Sequence, residues 1–171
     1  MIDDYQPCEL PSNDGWTRVL FDINPVPLAG HPGLRAGSLR VTRCYWDRAR
    51  LLDGDHSEHL PDFVLELRQV LFNVDCLRML LSALLTWTTM PFEDLPRAKL
   101  ELSVGLCSDR NLKLGLELGP VHSHGDRATC ILTVRTGALE DQQIGSCAFT
   151  IDLTGAHRFA TEVQERLGLL E

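Results

Sequence analysis

From Lys99 onward the chain alternates apolar and polar residues with the period of a half-buried β-strand. Leu100, Leu102, Val104 and Leu106 alternate with Lys99, Glu101, Ser103 and Gly105. Ser108-Asp109-Arg110-Asn111 supplies a turn, after which Leu112, Leu114, Leu116 and Leu118 alternate with Lys113, Gly115 and Glu117. This predicts a hairpin with one buried and one wet face. A turn-rich stretch from Gly119 to Arg127 follows. Two further strands carry Cys130, Leu132 and Val134, then Cys147, Phe149, Ile151 and Leu153, on their apolar sides.

The first half is less regular. Thr17, Val19, Phe21 and Ile23 share one face of a strand that opens at Trp16 and is stopped by Asn24-Pro25-Val26-Pro27. Residues 29–37 read as a glycine-rich loop, Ser38 to Trp46 as a second strand, and residues 47–61 as a polar loop with room for a short helical turn at Arg48 to Leu52. Phe63 to Phe72 fits a strand and a helix alike. We read it as a strand because the next segment needs a break before it. Asn73 or Asp75 opens a helix in which Leu77, Leu80, Leu81, Leu84 and Leu85 form a broad apolar face, running to Thr88 before Pro91. Thr154-Gly155 launches a closing helix lined by Phe159, Val163, Leu167 and Leu170. No internal repeat is visible.

Strands with one apolar face must be covered, and these two helices are the candidates. The expected fold is α+β: a meander-like antiparallel sheet of six to seven strands with both α-helices packed on one face. Residues 1–13, punctuated by Pro7 and Pro11, read as an irregular arm, and residues 14–171 as a single domain.

Charge narrows the partners. The 171 residues carry sixteen basic and twenty-four acidic side chains, a formal net charge of −8. No basic stripe exists, so nucleic acid and anionic membranes are disfavoured, while a basic protein is allowed electrostatically; the plainer reading is that the acidity maintains solubility. Six cysteines fall in no CxxC or CxC pair, which reads as free thiols in a reducing cytosol. Met1-Ile2-Asp3-Asp4 opens no secretory signal, and the apolar run around Leu77 to Trp87 is too short to span a bilayer. A cytoplasmic protein is expected.

No phosphate-binding, nucleophile-elbow, zinc-protease or EF-hand pattern occurs. The densest ligand-type cluster is Asp53-Gly54-Asp55-His56-Ser57-Glu58-His59, followed by His122-Ser123-His124 with Asp126. Neither supplies three or four ligands at fixed spacing, so a solvated loop is the plainer reading and no metal or cofactor is expected. The cysteines sit in strand or helix patterns and not on exposed elbows, so catalysis is not expected. Tyr45-Trp46, between Arg43 and Arg48, is the aromatic pair most suited to an interface.

The order of strand, strand, leucine-rich helix, antiparallel strands and amphipathic helix carries two local features. Asp14-Gly15-Trp16-Thr17-Arg18-Val19 opens the first strand, and Phe149-Thr150-Ile151-Asp152-Leu153-Thr154 leads into the last helix. In these the chain resembles the WapI-type immunity proteins of bacterial polymorphic toxin systems, over most of its length from about residue 14. The stretch 47–72 is longer than that pattern. The resemblance implies a cytosolic, non-enzymatic protein that binds and blocks a toxin domain. On this reading Asp53, Asp55 and Glu58 form one acidic patch toward a basic toxin, and Glu140 and Asp141 a second. Competing readings are a homo-oligomeric scaffold, such as a homodimer joined through sheet edges, and an enzyme or metal-binding protein using the histidine-bearing loops.

Overall fold

In the computed structural model the alternation of Thr17, Val19, Phe21 and Ile23 becomes a strand, β2 (Thr17–Ile23), with all four residues buried. The structure describes residues 6–13, 17–43, 63–107, 112–137 and 143–169. With β1 (Cys8–Pro11), β3 (Leu34–Arg43) and β4 (Phe63–Asn73), β2 forms an antiparallel sheet in the order β1-β2-β3-β4. Helix α1 (Val74–Thr88) follows β4 without a break, and a 3-10 turn at Leu95–Arg97 lies beyond it. A second antiparallel sheet then forms from β5 (Leu102–Gly105), β6 (Leu112–Val121), β7 (Arg127–Thr136) and β8 (Gln143–Asp152), in that order. Helix α2 (Leu153–Leu167) follows β8 directly.

Among the described residues the chain is thus one architectural unit twice over: four antiparallel strands, then a helix. In each unit the first strand has four residues and the helix fifteen. The joints match as well. Asn73, the last residue of β4, caps α1, its Oδ1 accepting from the N–H groups of Asp75 and Cys76 at 2.9 and 3.2 Å. Asp152, the last residue of β8, caps α2, its Oδ1 accepting from the Gly155 N–H at 2.7 Å. These side chains satisfy donors that a helix start leaves unpaired. The Val74 N–H donates to the Gly33 carbonyl between β2 and β3 at 2.9 Å, and the Leu153 N–H to the Asp126 carbonyl between β6 and β7 at 3.3 Å.

Two expectations are corrected. Eight strands form two four-stranded sheets, not one sheet of six to seven. The helices do not lie together on one sheet face: α1 packs against β4 and β5, α2 against β8 and β1, and the two helices against each other. Alternation specifies which side chains point inward, but not which strand lies alongside. Between β4 and β5 the chain departs into α1, and the two strands meet only at their ends. There Phe72 bridges Cys107, and the Asn73 N–H reaches the Leu106 carbonyl at 3.0 Å. At the matching corner the Asn13 N–H reaches the Thr150 carbonyl at 2.6 Å. Within the segment expected to be irregular, Cys8–Pro11 pairs with β2 as an edge strand, where a proline at its end costs no ladder bond.

One core joins the units. Val19, Phe21, Leu39, Val41, Val70 and Phe72 from the first sheet are buried with Leu114, Leu116, Cys130, Leu132, Phe149 and Ile151 from the second. Phe21 is fully buried, its ring centroid 6.1 Å from that of Phe72 and 5.1 Å from that of Phe159 on α2. From α1, Leu77, Leu80, Leu81, Leu84 and Trp87 enter the same core.

The ambiguity at residues 63–72 has a local cause. It is a strand, and it carries a β-bulge: Gly37 faces Val70 but Leu39 faces Leu67. Gln69 takes a positive φ of 58° there. The extra residue shifts the inward face from Leu65 and Leu67 to Val70 and Phe72, a step of three that imitates helical spacing. Opposite the bulge, Gly37 lets the chains close up, since a Cβ there would lie 2.0 Å from the Asp22 carbonyl oxygen and 2.9 Å from the Phe72 ring.

Candidate protein-binding surface

All seven residues singled out for partner binding lie outside the described residues. Tyr45, Trp46, Asp53, Asp55 and Glu58 fall in 44–62, between β3 and β4; Glu140 and Asp141 fall in 138–142, between β7 and β8. His56 and His59 lie outside as well. Their positions in sequence still matter, because the charge is unevenly divided. The described residues hold thirteen of the sixteen basic side chains and twelve of the twenty-four acidic ones, so the scaffold is close to neutral. The remaining three basic and twelve acidic residues sit at the two ends and in the segments 14–16, 44–62, 108–111 and 138–142 that join strand to strand. The described residues thus carry a net charge of +1 and the remaining residues of the sequence −9.

The His122-Ser123-His124 segment is held as a tight turn. The His122 N–H donates to the Arg127 carbonyl at 2.8 Å and the Gly125 N–H to the His122 carbonyl at 2.8 Å. The indole N–H of buried Trp87 donates to the Gly125 carbonyl at 3.1 Å, tying the turn to α1. Gly125 has φ +78°, and a Cβ there would come within 2.5 Å of Leu95, so only glycine fits. His122, His124 and Asp126 stay exposed, and Asp126 lies 3.7 Å from Arg127. Among the described residues no group of three or more His, Cys, Asp or Glu side chains is placed to hold a metal.

The thiols behave as packing groups. Burial pushes the Cys8 thiol up to about 11 and the Cys130 thiol higher still. Burial also raises Cys147, with the Arg43 guanidinium partly opposing it. The Cys107 thiol donates to the Leu112 carbonyl at 3.0 Å. With their pKa raised, Cys8, Cys130 and Cys147 are not activated nucleophiles, which require a lowered one. Among the described residues no helix is long and apolar enough to cross a membrane.

Among the described residues two grooves stand out. One, of about 730 Å³, runs between the helices and is lined by Arg78, Leu85, Thr86, Thr89, Gln164 and Leu169. The other, of about 570 Å³, lies between the start of β1 and α2 and mixes Glu9, Glu162 and Glu165 with Arg158 and Arg166.

The sheet edges differ more sharply. Along β4 the outward face carries Glu66 and Arg68, paired at 2.9 Å, and the strand is bent by its bulge. Charge and bulge are standard protections of an exposed edge. Strand β8 has neither. Its ten residues pair with β7 in unbroken register, and from Gln143 to Ile151 it holds no charged residue and no proline. Ile144 stands 62% exposed on its outward face. Sequence reasoning missed this edge; the signal was the ten-residue run without charge between Asp141 and Asp152. No family model, curated protein or solved structure matches the chain.

Proposed function

We propose that the protein works by binding a basic protein, in the manner of an immunity protein that neutralises a toxin domain inside a bacterial cell. The observation that carries this reading is the partition of charge. Acidity that served solubility alone would be distributed evenly along the sequence. Here the described residues are near neutral, and twelve acidic residues against three basic ones fall in the rest of the sequence. A pre-formed scaffold lowers the ordering cost of binding, and concentrated negative charge speeds encounter with a basic surface.

The Asp53, Asp55, Glu58, Glu140 and Asp141 carboxylates are the groups proposed to meet the partner. The test is capture with the immobilised full chain from lysate of its source bacterium, compared with a variant in which all five are changed to lysine. The wild type should retain a basic protein that elutes with salt, since exposed charge pairs are screened beyond about 8 Å at physiological ionic strength. The variant should lose it, and the residual affinity should depend less on salt. Equal capture by both proteins, or capture of acidic proteins only, overturns the proposal.

A further inference from the structure

We propose that the exposed edge of β8 is the seam of a homodimer, in which β8 pairs antiparallel with β8 of a second copy about a two-fold axis centred on Ser146. Among the described residues, the side of β8 away from β7 takes one hydrogen bond, from the Asn13 N–H to the Thr150 carbonyl, and Ile144, Gly145, Ser146 and Ala148 are exposed. An edge strand that is regular, uncharged and apolar at its surface is a template for strand pairing.

The occupant follows from the residues beside the edge. With Ser146 opposite its twin, Ile144 of each copy faces Ala148 of the other. Ala148 is in register with Ile131 on β7. Each Ile144 would therefore lie over a small methyl group with a half-buried isoleucine on its far side, and two such apolar stripes would flank the axis. Ser146 and its neighbour Thr133 are small enough to let the stripes form. Within residues 143–149 no charged side chain of one copy would lie directly opposite a like charge of the other. That matters for a chain of net charge −8, whose copies repel each other everywhere except at a neutral seam. The β4 edge, with its bulge and its Glu66–Arg68 pair, is not available for the same use. A seam of seven residues per copy is well below the ~1,600 Å² of a standard interface, so the dimer should be concentration-dependent.

This proposal does not use the five acidic residues of the toxin-binding reading, and salt separates the two. Salt weakens a complex between opposite charges but strengthens association between two acidic copies. Sedimentation velocity of the full chain should show a monomer moving to a dimer as concentration rises toward several hundred micromolar (~), with more dimer at higher salt. Ile144→Lys should abolish the dimer and leave the circular dichroism spectrum unchanged, because that side chain is exposed. Glu66→Lys should leave the dimer intact. Directly opposed antiparallel residues have Cα atoms about 4.5–5.5 Å apart, within disulfide range. Ser146→Cys should therefore oxidise to a covalent dimer whose digest contains the 146–146 linked peptide. A monomer at every concentration overturns the proposal. So does a dimer that survives Ile144→Lys and yields no 146–146 link, which would place the contact on another surface.

Discussion

Phe21 tests whether the two units are one thermodynamic body. It stands on β2 of the first unit, fully buried, with Phe72 at 6.1 Å and Phe159 of the second unit's helix at 5.1 Å. Phe21→Ala removes a whole ring from between them. Large-to-small changes of this kind cost about 3–5 kcal/mol, and aromatic pairs account for roughly 0.5–1.5 kcal/mol each within that. With an unfolding entropy of about 2.1 cal/mol/K per residue over the chain, the loss corresponds to a Tm lower by about 8–14 °C. Thermal unfolding followed by far-UV circular dichroism and by calorimetry should show one transition in both proteins, displaced as a whole in the variant. A melt that splits in two, with one transition left at the wild-type temperature, would refute the shared core. So would a shift below about 3 °C, since a buried ring bridging both units cannot be removed so cheaply.

Three further outcomes follow from the same coordinates. Trp87→Phe keeps most of the buried volume but leaves the Gly125 carbonyl without its indole donor, and should cost about 1–3 kcal/mol by chemical denaturation; a neutral result would mean the turn at 122–126 does not depend on that bond. Glu9 is hydrogen-bonded by Arg18 through both carboxylate oxygens at 2.8 and 2.6 Å, and that bonding holds its pKa below the ordinary value of 4.5. Its folded pKa is thus the lower one, so its contribution is present above pH 4.5 and is lost as pH falls through the folded value. Glu9→Gln should therefore lower stability modestly at pH 7 and make no difference near pH 2 (~), and an equal difference at both would exclude the ionic contribution. Finally, Cys8 and Cys130, buried and raised, should resist alkylation of the native protein at neutral pH, while Cys76, Cys107 and Cys147, each only half-buried, should react first; quantitative labelling with mass spectrometry reads the order directly.

The strands from Leu102 to Asp152 were legible because their alternation is strict and one face is wet. Both helices were legible because Leu77, Leu80, Leu81 and Leu84, behind Asn73 as a cap, and Phe159 and Val163 keep the helical period; the cap of the second, Asp152, was hidden in the alternation of the strand before it, so its start read one residue late. Strand β1 was hidden because Cys8 to Pro11 is too short to show a period and lies between two prolines. Strand β4 was ambiguous because its bulge inserts a step of three between Leu67 and Val70. The split into two sheets left no trace, since Leu102 or Val104 would face inward in the same way beside β4 as beside β6. The repeat of the unit is equally silent: Asn73 and Asp152 do the same work with different side chains, and the strands they end share a direction but no sequence. As for the surface, the acidic connections could be read from composition, whereas the bare edge of β8 needed the strand order to show that it lies at the rim.

The exchange of helices between the units sets the order in which the chain can become stable. As the chain leaves the ribosome, β1 is made about 140 residues before α2, the helix that packs on it. Helix α1 likewise waits for β5 before its far side is sheltered. The first four strands can pair with one another during synthesis, but their inner face is not fully covered until α2 has been made. Such a nascent chain is a natural client for a holding chaperone, and a ribosome stalled before residue 153 would display a greasy surface that the finished molecule never shows.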